Sequence, residues 1–287
     1  MRYKLILSDN TGNSVDLYSD PNIRLISTDG IGFSANTATM KLHDYDGAFF
    51  QGNSLQQRVI TLMVQYYGSY SQTDEQAKNR LMRIIGHKNP IRLRYITDNI
   101  DAYIECRTEQ VSTPPNTYPM VTQISLICPD PYWRKSGDNS VVIAGLIPLF
   151  EFIIGIPASG MEFGEIRSGR ITDLYNGGTV ESGALFTITA NQPCTNPKLL
   201  NLRTEQFIQI SVAMDAGDVL EICTEQGKRS VWFTHNGVRR NYFSRRTKGS
   251  EFFQLVCGNN PIKYSVDSGG DRAVDIVCKF DTKYGGI

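Results

Sequence analysis

This sequence has no excess of either charge: its 287 residues carry 29 Lys and Arg against 29 Asp and Glu. A formal charge of zero excludes a nucleic-acid binder that relies on a broad basic surface and leaves only a local patch for such a role. It also removes the repulsion that keeps copies of a chain apart. Long apolar runs are missing too. The longest, residues 141–156, is broken by Gly145, Pro148, Glu151 and Gly155 and is too short to span a bilayer. The opening Met1–Asp9 has too short an apolar run for a signal peptide, so a soluble chain made in the cytoplasm is expected.

Catalytic signatures are absent as well. The three histidines, His43, His87 and His235, lie far apart beside expected turns, and no HExxH, GxSxG or Walker spacing occurs. Gly177-Gly178 and Gly269-Gly270 lack a strand–loop–helix setting and read as turns. His43-Asp44-Tyr45-Asp46 offers three ligands in four residues without the oxygen spacing of a calcium loop, so it reads as a polar turn. Six cysteines stand singly with no CxxC pair, which argues against a disulfide framework and for small buried hydrophobes in a reducing compartment. No enzyme, cofactor or metal site is expected.

Helical signal is scarce, with one exception. Thr73-Asp74-Glu75-Gln76 has the form of a capping box, with two acids at the positive end of the helix dipole. Ala77, Leu81, Ile84 and Ile85 then share one stripe, and Gly86 can end the helix.

What is abundant is strand. Arg2–Ser8, Val15–Tyr18, Ile23–Ser27, Ala38–Leu42, Arg58–Tyr67, Pro90–Thr97, Ile100–Val111 and Tyr118–Cys128 are predicted strands, with a Gly- and Ser-rich loop over Thr28–Asn36. Arg58–Tyr67 looks apolar on both faces. Tyr66, Tyr67 and Tyr70 are candidates for a subunit interface, where tyrosine is enriched, as well as for core. The chain then reaches Cys128-Pro129-Asp130-Pro131-Tyr132-Trp133-Arg134. Two prolines remove backbone donors and stop the strand. Pro129, Pro131, Tyr132 and Trp133 form a stiff aromatic elbow, the expected anchor between two domains. Residues 135–140 read as linker.

The reading is therefore two domains, 1–135 and 136–287. The first is α+β, a β-sheet or sandwich with one packed helix. The second repeats short strand-like runs between turns, from Ser140–Leu146 through Phe150–Ile154, Met161–Ile166, Gly183–Ala190, Phe207–Val212, Asp218–Cys223, Ser230–Phe233, Val238–Phe243, Phe252–Val256 and Ile262–Val266 to Ala273–Phe280. That is the pattern of an antiparallel β-sandwich, and the fold class is mostly β. Asn236-Gly237 is the strongest hairpin signal.

Leu126–Arg134, with its Asp-Pro-aromatic-aromatic core, resembles the end of the first domain in the distal tail proteins of long-tailed siphophages and prophages. The order of Leu174–Thr179, Asn196–Lys198, Asp215–Leu220, Leu255–Ile262 and the ending Tyr284-Gly285-Gly286-Ile287 is similar to the second domain of that family, over essentially the full length. The apolar loop Pro148–Gly160 departs from it. The resemblance implies a galectin-like second domain and a homohexameric ring at the virion tail tip. It also implies contacts with a tail-tube protein and a tail-associated hub or lysin protein, with receptor-binding proteins on the second domain. DNA would pass through the ring without specific binding, and no membrane insertion is implied.

A galectin-like domain raises a second reading, a carbohydrate-binding module for cell-wall glycans, with Trp232, His235, Arg239 and Arg240 as partner or glycan contacts. Galectins place His, Asn and Arg on one strand and Trp on another, and that order is not reproduced here. The run Arg239–Lys248 is the one notable charge cluster, readable as a solvated face, as a docking patch for an acidic protein or, last, as a nucleic-acid contact.

Overall fold

The computed structural model describes residues 3–41, 43, 46–68, 73–115, 118–137, 140–147, 165–167, 171–269 and 273–287. Tyr70, Asp44, Tyr45, Gly270, the loop Pro148–Gly160, the expected strand Phe150–Ile154 and most of Met161–Ile166 lie outside them. The chain forms two compact units, Met1–Ser136 with Lys283–Ile287, and Gly137–Thr282. The closing five residues thus join the first unit, whereas the sequence reading assigns them to the second domain.

The first unit opens with β1 (Lys4–Asp9), β2 (Ser14–Asp16), β3 (Ile23–Asp29), β4 (Ala35–Met40), β5 (Phe49–Leu55) and β6 (Arg58–Tyr66). Helix α1 (Asp74–Ile84) follows, then β7 (Ile91–Ile96), β8 (Asp101–Ser112), β9 (Val121–Cys128) and β10 (Trp133–Lys135). The antiparallel order is β2-β1-β7-β8-β9-β6-β3. β8 holds it together by changing partners: up to Cys106 it pairs with β7, and from Arg107 onward with β9. A register shift between Thr108 and Gln110 bends the strand near this switch.

On β6, Ile60, Leu62, Val64 and Tyr66 are buried while Val59 is exposed and Thr61, Met63 and Gln65 are half-buried. The strand therefore fills one core, not two. The α1 capping box forms as read: the Gln76 N–H donates to Thr73 Oγ1 and the Thr73 N–H donates to Gln76 Oε1. Ala77, Leu81, Ile84 and Ile85 go into the core with Leu5, Leu7, Leu93 and Ile104.

Before β2, the Asp9 carboxylate accepts from the Thr11 and Asn13 backbone N–H groups and from both of their side chains. The Asn13 amide leads in holding its pKa at about 2, against an ordinary 3.8. The stabilising contribution of this turn is therefore complete above pH 3.8 and disappears as the pH falls through about 2. Carboxyl-carbon NMR titration of the folded protein should find Asp9 ionised throughout the range where an unconstrained Asp titrates.

The second unit contains β11 (Ser140–Ile147), β12 (Glu165–Arg167), β13 (Ile171–Asn176), β14 (Ala184–Ala190), β15 (Cys194–Thr195), β16 (Lys198–Asn201), β17 (Phe207–Gln209), β18 (Ala213–Met214), β19 (Val219–Cys223), β20 (Ser230–His235), β21 (Val238–Asn241), β22 (Gly258–Ser265) and β23 (Val274–Phe280). Its larger sheet runs β12-β11-β23-β14-β19-β20-β21 and its smaller one β13-β22-β16-β17. Phe186, Ile188, Leu220, Ile222 and Val231 from one sheet share a core with Leu174, Leu199, Ile208 and Ile262 from the other, which makes a sandwich. Gly183 marks a close approach, since a Cβ there would sit 2.2 Å from Glu225 Cα.

Phe252–Val256 is not a strand. Phe252, Phe253 and Leu255 fill the core from an irregular segment whose one ladder contact among the described residues is the bridge from Leu255 to Ser182. All six cysteines are free thiols; Cys106, Cys128, Cys194 and Cys278 are buried, Cys223 is half-buried, and Cys257 is exposed, which corrects its expected burial. Among the described residues, no helix is long and apolar enough to cross a membrane.

Candidate functional site

Three places gather the residues singled out in the sequence. The first is the elbow. Trp133 is fully buried in the first unit, its indole N–H donating to the Ile31 carbonyl at 3.3 Å and its ring meeting Tyr95 edge-on. Pro131 and Tyr132 are half-buried and Pro129 is exposed. Directly beside Trp133, the returning strand Lys283–Tyr284 pairs antiparallel with β10, Trp133 opposite Tyr284. Lys283 places its ammonium 5.5 Å from the Tyr132 ring centre. The segment that leaves the first unit and the segment that comes back to it are thus hydrogen-bonded to each other.

Arg58 locks this junction. It is 5% exposed, and its guanidinium donates to five backbone carbonyls. Nε and Nη2 take the Pro131 carbonyl at 2.9 and 2.7 Å, Nη2 also reaches Gly285, and Nη1 serves Gly30, Ile31 and Gly32. Burial pulls its pKa below the ordinary arginine value. Gly30 is obligatory here: its φ is +82°, and a Cβ would fall 2.0 Å from the Val59 carbonyl oxygen. In the sequence Arg58 reads only as the first residue of a strand. The available signal was an arginine on the same alternation as Ile60, Leu62 and Val64, the buried face.

The second place is the outer surface of the first unit. β4 and β5 pair only with each other among the described residues, and β4 is exposed along its whole length. Phe50 is 65% exposed, as is Phe33, and Phe49 and Met40 are nearly half exposed. An isolated two-stranded ribbon is marginal in water, and exposed aromatics such as Phe50 on it add apolar surface that a partner could cover. A separate open groove of about 570 Å³ is lined by Tyr3, Tyr18 and Tyr67 with Leu17, Arg24 and Asp20. Tyr67 therefore stands on an accessible surface. Tyr66 does not: it is 1% exposed, because it lies on the inward alternation of β6, and burial raises its phenol pKa. This corrects its candidacy as an interface residue.

The third place is the β20–β21 hairpin. Asn236 and Gly237 both adopt positive φ, as a type I′ turn demands. The Arg239 guanidinium lies 4.7 Å over the Trp232 ring and is paired to Glu221 at 2.6 Å, so one indole face that a sugar could stack on is covered by the protein's own arginine. His235 Nδ1 lies 2.9 and 3.0 Å from the two carboxylate oxygens of buried Asp218, which also accepts from the Asp215 N–H. Asp215, Asp218 and His235 bring three ligand atoms within 4.8 Å of one another, but the Asp218 carboxylate already serves a hairpin-to-loop staple. His43 and His87 are exposed on turns and belong to no such cluster among the described residues.

The quoted asparagine motifs of the second unit are braces. Asn260 is fully buried; its amide donates to the Leu174, Val256 and Gly258 carbonyls and its oxygen accepts from the Val256 N–H. Asn176 ties the Val180 and Leu255 carbonyls to the Gly178 N–H. Their spacing reflects loop geometry, not ligand chemistry.

Comparison with known proteins gives two family matches. Residues 10–128 match the phage tail protein RIFT-related domain, and residues 177–284 match the siphovirus-type tail component, C-terminal domain. Among solved structures, the fold is similar to the SPP1 Dit protein, described as a paradigm of the hub adsorption apparatus in phages infecting Gram-positive hosts. The TM-score is 0.66 at 11% identity, covering 99% of each chain. Chains in the baseplate of phage P2, in its activated conformation with calcium or strontium, match over 100% of both chains at TM-scores of 0.53 and 0.52 and 12% identity. No curated protein matches the sequence.

Proposed function

Because this chain belongs to the siphophage distal tail protein family, we propose that it is a homohexameric ring adaptor joining the tail tube to the tail-tip adsorption apparatus. It is a structural component of the phage tail baseplate. In the proposed ring, the first unit surrounds the channel through which DNA passes, between a tail-tube protein and a hub or lysin protein. The second unit is the attachment point for receptor-binding proteins. The SPP1 relative, described as part of a hub adsorption apparatus, supports this placement. The two-domain boundary at the aromatic elbow belongs to the same proposal.

The observation that carries the self-assembly reading is the β4–β5 ribbon. A two-stranded ribbon with Met40 and Phe50 exposed has apolar area to bury and, among the described residues, no strand paired to either edge. A chain of zero net charge meets its copies without repulsion. A ring of identical copies supplies such cover at each ribbon by one repeated contact. The carbohydrate-binding alternative has less support, since Arg239 covers a face of Trp232 and Asp218 holds His235. No chemical step is assigned to the protein.

Phe50→Glu tests the ribbon. The side chain is exposed, so the folding stability of one chain should change by no more than about 0.5 kcal/mol. Light scattering should show the wild-type chain as a closed oligomer and the variant as smaller species. An unchanged oligomer mass in the variant would remove the ribbon from the interface.

A further inference from the structure

The basic cluster of the second unit is unabsorbed by the ring proposal. Seven Lys and Arg fall in residues 226–250, a window without one Asp or Glu, in a chain of zero net charge. The fold concentrates them beside one sheet edge. β21 carries Arg239 and Arg240, is exposed along its whole length and ends the larger sheet. A short 3-10 turn, Phe243–Arg245, follows it. Arg246 lies 4.3 Å over Phe243 and 4.8 Å over Phe252, and Arg229 approaches the same Phe252 ring at 5.9 Å. Arg245 lies 5.9 Å from the Tyr242 ring centre. Glu221 neutralises Arg239, whereas Arg240, Arg245, Arg246 and Lys248 form no ion pair among the described residues.

The stacked guanidiniums are pre-oriented. Arg246 is fixed by two rings and by donating Nε–H to the Phe243 carbonyl at 3.0 Å. Such an arginine loses little side-chain entropy when it takes a carboxylate. The backbone adds a second requirement. Tyr242 N–H donates to the Val231 carbonyl, and the β20–β21 register pairs Phe233 with Arg240. Strand alternation then turns the N–H and C=O of Arg239 and Asn241 outward, where no strand among the described residues meets them.

We propose that the β21 edge and its arginine cluster dock an extended acidic segment of a partner protein, which adds to the sheet as one more strand. A peptide supplies both donors and acceptors to the outward backbone groups; a phosphate polymer supplies acceptors alone. A second copy of this chain is disfavoured, because two such edges would bring like charges together. The proposal goes beyond the ring reading and does not depend on it.

The test uses the full chain and a labelled peptide of alternating Glu and Val, read by fluorescence anisotropy. The expected result is binding at about 50 mM salt that weakens as salt rises. The Arg240→Glu/Arg245→Glu double variant should lose about tenfold or more in affinity, with an unchanged thermal melt as the fold control. The same peptide N-methylated at alternate amides keeps its charge but loses its donors, and it too should bind about tenfold or more weakly. Equal binding of the methylated peptide, or displacement by polyphosphate at lower charge concentration, would overturn the strand-docking proposal in favour of a general polyanion surface. Absence of peptide binding at low salt would overturn it outright.

Discussion

Replacing Arg58 with methionine is expected to remove about 3–5 kcal/mol from the stability of the first unit while leaving the second unit unchanged. Methionine keeps the stem but none of the donors. The variant regains the cost of desolvating a guanidinium, several kcal/mol in an interior site. Against that stand charge-assisted bonds to the Pro131, Gly285, Gly30, Ile31 and Gly32 carbonyls, each worth at most about 1.5–3 kcal/mol net of exchange with water. Several buried carbonyls left without a donor outweigh the relieved desolvation. The two tryptophans make the measurement clean, since Trp133 lies in the first unit and Trp232 in the second. Denaturant unfolding followed by Trp133 fluorescence in a Trp232→Phe background should shift to lower denaturant. A matching shift of the Trp232 signal in the complementary background would contradict the localisation.

Deletion of Lys283–Ile287 should give the second large effect, about 3 kcal/mol or more, again confined to the first unit. These residues follow the last strand of the second unit in sequence, yet they contribute to the first unit the Lys283–Tyr284 ladder with β10, the Gly285 carbonyl on Arg58 and the packing of Tyr284 and Ile287 on its core. The Trp133 transition should move and the Trp232 transition should stay. Because the deletion removes one of Arg58's own acceptors, combining it with Arg58→Met should cost less than the sum of the two. Full additivity would mean that the clamp and the return strand act separately.

The contrast between α1 and the β4–β5 ribbon shows what a sequence makes legible here. Thr73 and Gln76 state their roles locally, and Ala77, Leu81 and Ile84 repeat with the helix period because one face is buried. Phe49–Leu55 buries no face against the described residues and shows no alternation, so nothing in its sequence marks it as a strand. The same logic misplaces Phe252–Val256: burial without ladder partners looks like a strand when only hydrophobicity is read. The Asn236-Gly237 hairpin was legible because backbone sterics alone fix it.

The candidate sites were harder to read. Tyr66 and Tyr67 are neighbours with opposite fates, settled by strand parity that tyrosine's mixed character conceals. The role of Arg58 depends on carbonyls as distant as Gly285, an alignment that only the folded chain creates. The end of the strand at Cys128, before the two prolines, is visible in the sequence, but the pairing of Trp133 with Tyr284 is not, since two paired residues carry no periodic signal.

Single-particle electron microscopy of the purified chain tests the central claim most directly. The account expects closed rings with six-fold symmetry about an open channel, formed by self-assembly alone. Discrete single chains of 32.2 kDa at every concentration, with no ring even when the oligomer is favoured by crowding, would contradict it.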